Sequence, residues 1–426
     1  MKIFLLIWFG QLVSAIGSRL TGFAIGVWMY QQTGSVTQYA LIYLFTYLPE
    51  TLMSPIAGTL VDRWDRRIAM IVSDTGAAIC TLAIALLLFN NYLTPWNLYF
   101  LLTIKAGFTA FQIPAYTAAT TLLVSKQHYS RTGGMIQLAQ ATSQVAAPML
   151  AGFLVGAIHV EGVFVIDFFT FLIATFTLLT VKFPQPEASL AGKNSKGSFW
   201  REISIGWQYI TKRPGMLGLL IFLLIPFFTL GMLETLFTPL ILSFASVAQL
   251  GIVLTVGGCG WVLGSACIAS WRGVKNYVYG IFSFVVMQGC CLLLSGLQHS
   301  VVLAGLGCFG YLFAYPIILS CNQAIWQNKV SPDLQGRVFG VRRLIEQIPL
   351  GIAYIVAGPL VDDYFEPWLA KNGLLADSVG KILGVGTGRG ISFLFIIIGS
   401  LNIFATFFAY QYPKIRFIDE SLPDTN

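Results

Sequence analysis

A small set of ionisable side chains stands inside stretches that are otherwise apolar: Arg19, Glu50, Lys105, Asp167, Glu234 and Glu346. A charge costs about 2.5–3.5 kcal/mol at the centre of a membrane helix. Groups so placed therefore face a cavity or pair with one another. A carboxylate in such a setting can take up and release a proton near neutral pH. Proton-coupled exchange needs a site of that kind, where a proton and a substrate compete. Counted at ~1.5 Å per residue, Glu50 lies ~16 Å from the end of its run near residue 61, and Arg19 ~18 Å from the outer end of its own. Both depths are near the middle of a bilayer. Glu50 is the leading coupling carboxylate and Glu234 the second. Arg342 and Glu346 stand four apart, and a fixed salt bridge is the plainer reading of that pair. Asp167 opens the sixth span, near Thr170 and Phe171.

The elements that position these groups are membrane helices. The chain has 426 residues, 56% of them hydrophobic and 10% charged, with a mean hydropathy of +0.75. No soluble protein hides so much apolar surface, and the class is a polytopic all-α membrane protein. Twelve spans are predicted near 3–30, 36–60, 68–89, 96–123, 132–158, 162–183, 215–243, 247–270, 277–297, 301–327, 338–361 and 389–412. The net charge of +7 is spread over short loops, which fits a bilayer partner and not nucleic acid. The seven cysteines all fall in apolar runs without metal-ligand spacing and read as small packing residues. His128, His159 and His299 fall near loops and form no metal pair. Neither His-Glu-x-x-His nor Gly-x-x-x-x-Gly-Lys-Ser/Thr occurs, which argues against an embedded metalloenzyme and against ATP drive. A cleaved signal peptide is not expected, because the first run is long and interrupted by Gln11, Ser14 and Arg19.

Most of the 25 Lys and Arg residues fall in alternate loops, and only Lys371, Lys381 and Arg389 fall on the opposite side. That asymmetry places both termini in the cytoplasm. Three parts follow: a six-helix bundle over 1–183, a cytoplasmic linker over 184–214, and a second six-helix bundle over 215–426. Within the linker, Phe199, Ile203, Trp207 and Ile210 recur at helical spacing and predict an amphipathic helix on the inner membrane surface. Gly58 and Gly264, Arg66 and Arg272, Arg131 and Arg337, and Gly152 and Gly358 share one offset, as two parallel repeats would. The outer loop over 362–388 predicts a short amphipathic cover.

The densest charge cluster is Asp62-Arg63-Trp64-Asp65-Arg66-Arg67, between the second and third spans. With Gly58 and Leu60 at this spacing, it resembles the loop between helices 2 and 3 of the major facilitator superfamily. Asp65 stands where that family usually has a glycine. The Asp-Arg-x-Asp-Arg-Arg form is similar to the drug and siderophore exporter branch, which includes enterobactin exporters and macrolide efflux proteins. Phe111-Gln112-x-Pro114-Ala115-Tyr116 resembles a stretch of the same branch. Ala147-Pro148-x-x-Ala151-Gly152 resembles the antiporter signature of helix 5, of which Pro148 and Gly152 remain. The outer loop, with Phe365-Glu366-Pro367 and its later glycines, resembles that of cyanobacterial members.

The resemblance implies two pseudo-symmetric six-helix bundles and alternating access. It places Arg19, Lys105, Gln112, Glu234 and Tyr315 on the substrate and proton path, with Glu50 and Glu346 at the seam between halves. It implies a cytoplasmic gate in which Asp62 meets the N-terminal end of helix 11, where Arg337, Arg342 and Arg343 lie. Asp74, on one face with Arg67, is expected to pair with it. The expected activity is export of an amphipathic small molecule (a drug, macrolide or siderophore) by proton antiport across the plasma membrane. A lysophospholipid flippase, a facilitator or an importer on the same fold is the alternative. No cofactor is expected beyond the proton gradient, no metal is expected, and the chain is expected to act as a monomer.

Overall fold

A computed structural model describes residues 2–61, 64–125, 128–181, 199–270 and 276–418. Among these residues the chain is helical, and ten helices are long and apolar enough to cross a bilayer. It divides into two compact units, Met1–Ala188 with Ser246–Thr255, and Ser189–Ala245 with Val256–Asn426.

The first unit contains α1 (Lys2–Thr33), α2 (Val36–Val61), α3 (Arg66–Phe89), α4 (Pro95–Leu123) and α5 (Tyr129–Thr180). Local chemistry sets their ends. Asp65 caps α3, its carboxylate accepting from the backbone N–H of Arg67 at 2.8 Å and of Ile68 at 3.2 Å. Thr94 caps α4, and Pro95 takes the first helical position, where a missing N–H costs nothing. The sequence predicts a gap between spans 5 and 6. The structure closes it to one residue, His159, whose φ of 59° and ψ of 179° turn α5 into two arms. No glycine or proline stands at 157–161, so only this single non-helical residue separates the arms. Counted as two arms, α5 supplies two spans. Together with α2, 26 residues long, every predicted span has its helix.

In a bilayer, helix packing depends on close contact more than on water exclusion. A Cβ on Gly76 of α3 would overlap the Phe108 ring of α4. One on Gly17 of α1 would meet the Asp167 and Thr170 side chains of α5. At one end of the unit, Ile7, Val61, Met70, Ala115 and Leu178 form a shared core, so the helix ends around the charged motif are brought together. Facing outward, side chains such as Phe100, Phe153 and Phe176 are exposed, as lipid contact requires.

The second unit contains α6 (Phe199–Thr211), α7 (Pro214–Leu242), most of α8 (Val247–Ser270), α9 (Tyr277–Leu297), α10 (Val301–Lys329) and α11 (Pro332–Pro359). A π turn (Leu360–Phe365) leads to α12 (Glu366–Trp368), α13 (Gly380–Leu383), α14 (Arg389–Gln411) and α15 (Pro413–Arg416). The span predicted over 338–361 begins earlier, at Pro332, because Ser331 and Pro332 make a helix start. The amphipathic helix α6 also differs from expectation. Its Gly206 and Ile210 are buried, with Gly206 against the Arg337 carbonyl of α11, and Tyr209 donates to the Lys329 carbonyl at 2.9 Å. Trp207 is turned outward, at 44% exposure. The buried face is therefore centred on 206 and 210, a fraction of a turn from the predicted stripe. The linker residues 182–198 lie outside the described residues.

Candidate functional site

The first unit encloses a cavity of about 270 Å³ lined from α1, α2, α3, α4 and the second arm of α5. Every membrane-embedded charge of this unit except Arg19 reaches it. Asp74 of α3 is 7% exposed and takes two amide donors. Gln11 Nε2 of α1 lies 3.0 Å from its Oδ2, and Gln112 Nε2 of α4 lies 2.9 Å from its Oδ1. Gln112 Nε2 also reaches Gln11 Oε1 at 3.2 Å, so three helices are tied at one carboxylate. Lys105 Nζ donates to Thr81 Oγ1 at 2.9 Å. Asp167 accepts from Thr21 Oγ1 at 2.8 Å, a bond from α1 to α5, with Thr170 Oγ1 at 3.4 Å. It also lines the cavity. Glu50 of α2 follows Pro49, which removes a helix hydrogen bond at that turn. It is half-buried, lines the cavity, and has no hydrogen bond or ion pair among the described residues.

Arg19 stands apart from this group. Its side chain is exposed on α1 and does not line the cavity, because the cavity face of the helix runs through Ser14, Ser18 and Gly22.

The expected pairing of Asp74 with Arg67 does not form. Seven residues are two helical turns, about 10.5 Å, a long reach along one helix, and both side chains are engaged elsewhere. Arg67 turns the other way, and its Nε and Nη2 donate to the carbonyls of Leu178 and Leu179 at 3.0 and 2.8 Å. A cation at the C-terminal end of α5 satisfies carbonyls that the helix leaves open. Arg66 has its Nε and Nη1 enclosed with no acceptor among the described residues. A side chain on Gly58 would meet open space. Asp62 and Arg63 lie outside the described residues. Farther along, Gly152 of α5 packs on Gly251 of α8, a Cβ there falling 3.0 Å from the Gly251 Cα, and the Pro148 carbonyl faces the same glycine.

The second unit holds Arg342, Glu346 and Glu234 in hydrogen-bonded networks. Arg342 Nε lies 2.7 Å from Glu346 Oε1, both on α11 and both buried. Asn322 Nδ2 reaches the same oxygen at 3.0 Å, Trp326 Nε1 donates to Asn322 Oδ1 at 2.9 Å, and Arg342 Nη1 reaches Gln323 Oε1 at 3.1 Å. Arg342 is therefore held inside the unit, three turns into α11. Arg337 and Arg343 are exposed on the same helix. None of the three stands at the helix N-terminus, which lies back at Pro332. Glu234 of α7 takes a 2.5 Å hydrogen bond from the Tyr354 hydroxyl of α11. Tyr315 is buried in contact with Phe227 and Trp261.

The Major Facilitator Superfamily family model matches residues 7–354. The chain belongs to that superfamily. Macrolide efflux protein A of Streptococcus pyogenes is 26% identical over 377 residues, 87% of this chain and 93% of the relative. Macrolide efflux protein A of Enterococcus faecalis is 25% identical over 315 residues, 72% of this chain and 97% of the relative. In fold, the chain matches the crystal structure of a bacterial homologue of the human lysosomal transporter Spinster, with a TM-score of 0.74 at 14% identity over 99% of this chain and 98% of the other.

This facilitator-family chain is thus a multi-pass membrane transporter and not an enzyme. Its geometry agrees, since the charged groups on the cavity come from four helical segments, α2, α3, α4 and the second arm of α5, around space. Thr21 and Thr81 carry no expectation from the sequence, and Gln11 figures there only as an interruption of the first apolar run. Each is a polar residue inside an apolar span, a signal open to the sequence, whereas Gln112 is singled out by the stretch that resembles the exporter branch. The expected roles divide Asp74 and Gln112 between a gate and a path, where the fold brings them into one cluster.

Proposed function

We propose that this transporter exports an amphipathic small molecule, of the drug, macrolide or siderophore type, in exchange for protons. The observation that carries the reading is Glu50, a carboxylate without a fixed partner among the described residues, on a cavity that also receives Asp74, Lys105 and Asp167. A charge left uncompensated in a membrane span is costly, and a proton or a substrate can relieve that cost in turn. The carboxylates of the second unit are already engaged, Glu346 by Arg342 and Asn322, and Glu234 by Tyr354. They fit structural roles better than a loading site. The relatives named macrolide efflux proteins support export as the direction and macrolides as one substrate class. Transport runs by alternating access, as a monomer in the plasma membrane with both termini in the cytoplasm, and needs no cofactor beyond the proton gradient.

Inverted vesicles carrying the full chain test this. An imposed proton gradient drives uptake of a macrolide or siderophore, and Glu50→Gln loses the coupling. Uptake that ignores the gradient, in wild type and variant alike, would replace the reading with a facilitator or lipid flippase.

A further inference from the structure

We infer that the first-unit cavity is a seat for the positively charged amine head of an organic cation, and that the rest of the exported molecule stays outside it. This rests on the export reading above, and it names what that site recognises.

The charge balance of the walls comes first. Glu50, Asp74 and Asp167 bring three carboxylates to the cavity, and Lys105 brings one ammonium. Lys105 is bonded to Thr81. Asp74 is supplied by two amides and Asp167 by Thr21. Glu50 is supplied by nothing among the described residues. An anionic or neutral occupant leaves that carboxylate uncompensated, whereas a cation supplies the missing charge.

The apolar wall selects the kind of cation. Phe164, Phe168 and Phe171 all line the cavity from the second arm of α5. Aromatic faces attract ammonium groups held within about 6 Å, and do so most strongly where water is excluded. A hard metal ion instead wants six or more oxygen ligands, and both Asp74 oxygens already accept amide hydrogens. An alkylated amine needs few hydrogen bonds and matches a wall that is part carboxylate, part ring.

Volume sets the limit on size. A cavity of about 270 Å³ equals roughly nine waters at ~30 Å³ each. That admits a trimethylammonium-sized head with a ring, and excludes a macrocycle. Space is free along α1 as well: Gly22 lines the cavity, and a Cβ there meets no atom within 4 Å.

The test is calorimetric titration of the purified full-length chain in nanodiscs with benzyltrimethylammonium. Its uncharged isostere neopentylbenzene, benzenesulfonate and sodium chloride serve as comparisons. The seat predicts binding of the ammonium alone. Glu50→Gln weakens it at least tenfold, because the variant removes the opposite charge that nothing else on the described walls compensates. Lys105→Gln tightens it by removing the opposing charge. Gly22→Phe fills the seat and abolishes binding while the melting temperature and elution profile hold. Equal binding of neopentylbenzene, binding of benzenesulfonate that Lys105→Gln removes, displacement by sodium, or no heat from the ammonium each overturns the inference. Ammonium binding without gradient-driven transport sinks the export reading and leaves the seat. Gradient-driven export by a chain that does not bind the ammonium sinks the seat and leaves export.

Discussion

Gln112 Nε2 of α4 stands 2.9 Å from Asp74 Oδ1 of α3, and Gln11 of α1 holds the other carboxylate oxygen. Two amide donors on one buried carboxylate make Asp74 the knot of the first unit. Asp65 and Arg67 anchor the start of the same helix, one by capping it and one by binding the end of α5. The charged motif and the cavity are therefore successive turns of one rigid element, α3.

Cutting one strand of that knot should loosen the unit. Gln112→Leu leaves Asp74 with one amide donor in place of two. An unmet hydrogen bond on a buried carboxylate costs about 1–3 kcal/mol. The expected result is a lower unfolding temperature in detergent, with Gln112→Glu lowering it further, because like charges then face each other. A Gln112→Leu protein as stable as wild type would mean that Asp74 is met by water.

Glu346 and Glu50 should respond oppositely to the same chemical change. Glu346→Gln strands Arg342 inside the second unit, and breaking a buried pair costs about 3–5 kcal/mol. Glu50→Gln removes a charge that no neighbour among the described residues compensates, so thermal stability should hold or rise while proton-coupled uptake is lost. Melting curves and vesicle uptake on both variants check the contrast. A large stability loss from Glu50→Gln with coupling intact would reverse the assignment.

The spans were legible because a run of apolar residues is local information, but the start of α11 was not, since the predicted span opens at 338 and the helix begins at Pro332. Partners were less legible. Asp74 shares a helix with Arg67, and sequence spacing invited that pair. The fold instead supplied Gln11 and Gln112 from residues far away in sequence. Arg19 and Glu50 looked equivalent by depth along their helices. Depth does not say which way a side chain points, and only Glu50 reaches the cavity. The i,i+4 pair of Arg342 and Glu346 was readable because both ends lie on one helix.

His299, in the turn between α9 and α10, gives a pH prediction. Its ring stacks on Phe244 at 4.6 Å. Burial, and secondarily the Arg389 charge, hold its pKa below the ordinary 6.5, against a raising contribution from Gly388. The folded chain thus binds fewer protons than the unfolded chain below about pH 6.5. Stability should be full above that pH and decline as the pH falls through the window down to the lowered folded value. Unfolding midpoints at pH 7.5 and 5.5 should differ, and His299→Phe, which keeps the stack, should narrow the difference. An unchanged difference in the variant would assign the effect to other groups.

The glycine-rich stretch before α14 binds an anion, and the anion is the chain's own. Gly384, Gly386 and Gly388 take φ of 87°, 117° and 80°, values that other residues rarely adopt. This path brings the Gly388 N–H to 2.9 Å from Glu366 Oε1, at the N-terminus of α14. A helix N-terminus favours negative charge, and a charged acceptor makes the stronger bond. Glu366→Ala removes that acceptor and should cost about 1.5–3 kcal/mol of local stability. Glu366→Gln keeps the shape without the charge and should cost less. Limited proteolysis within 369–388 reads the effect: faster cleavage for Ala, an intermediate rate for Gln, and cleavage faster still for Gly388→Ala, whose Cβ would also strike Ser243. Equal cleavage of all four proteins would show that the loop is held by its aromatic contacts, such as Phe365 on Trp368, and not by the carboxylate.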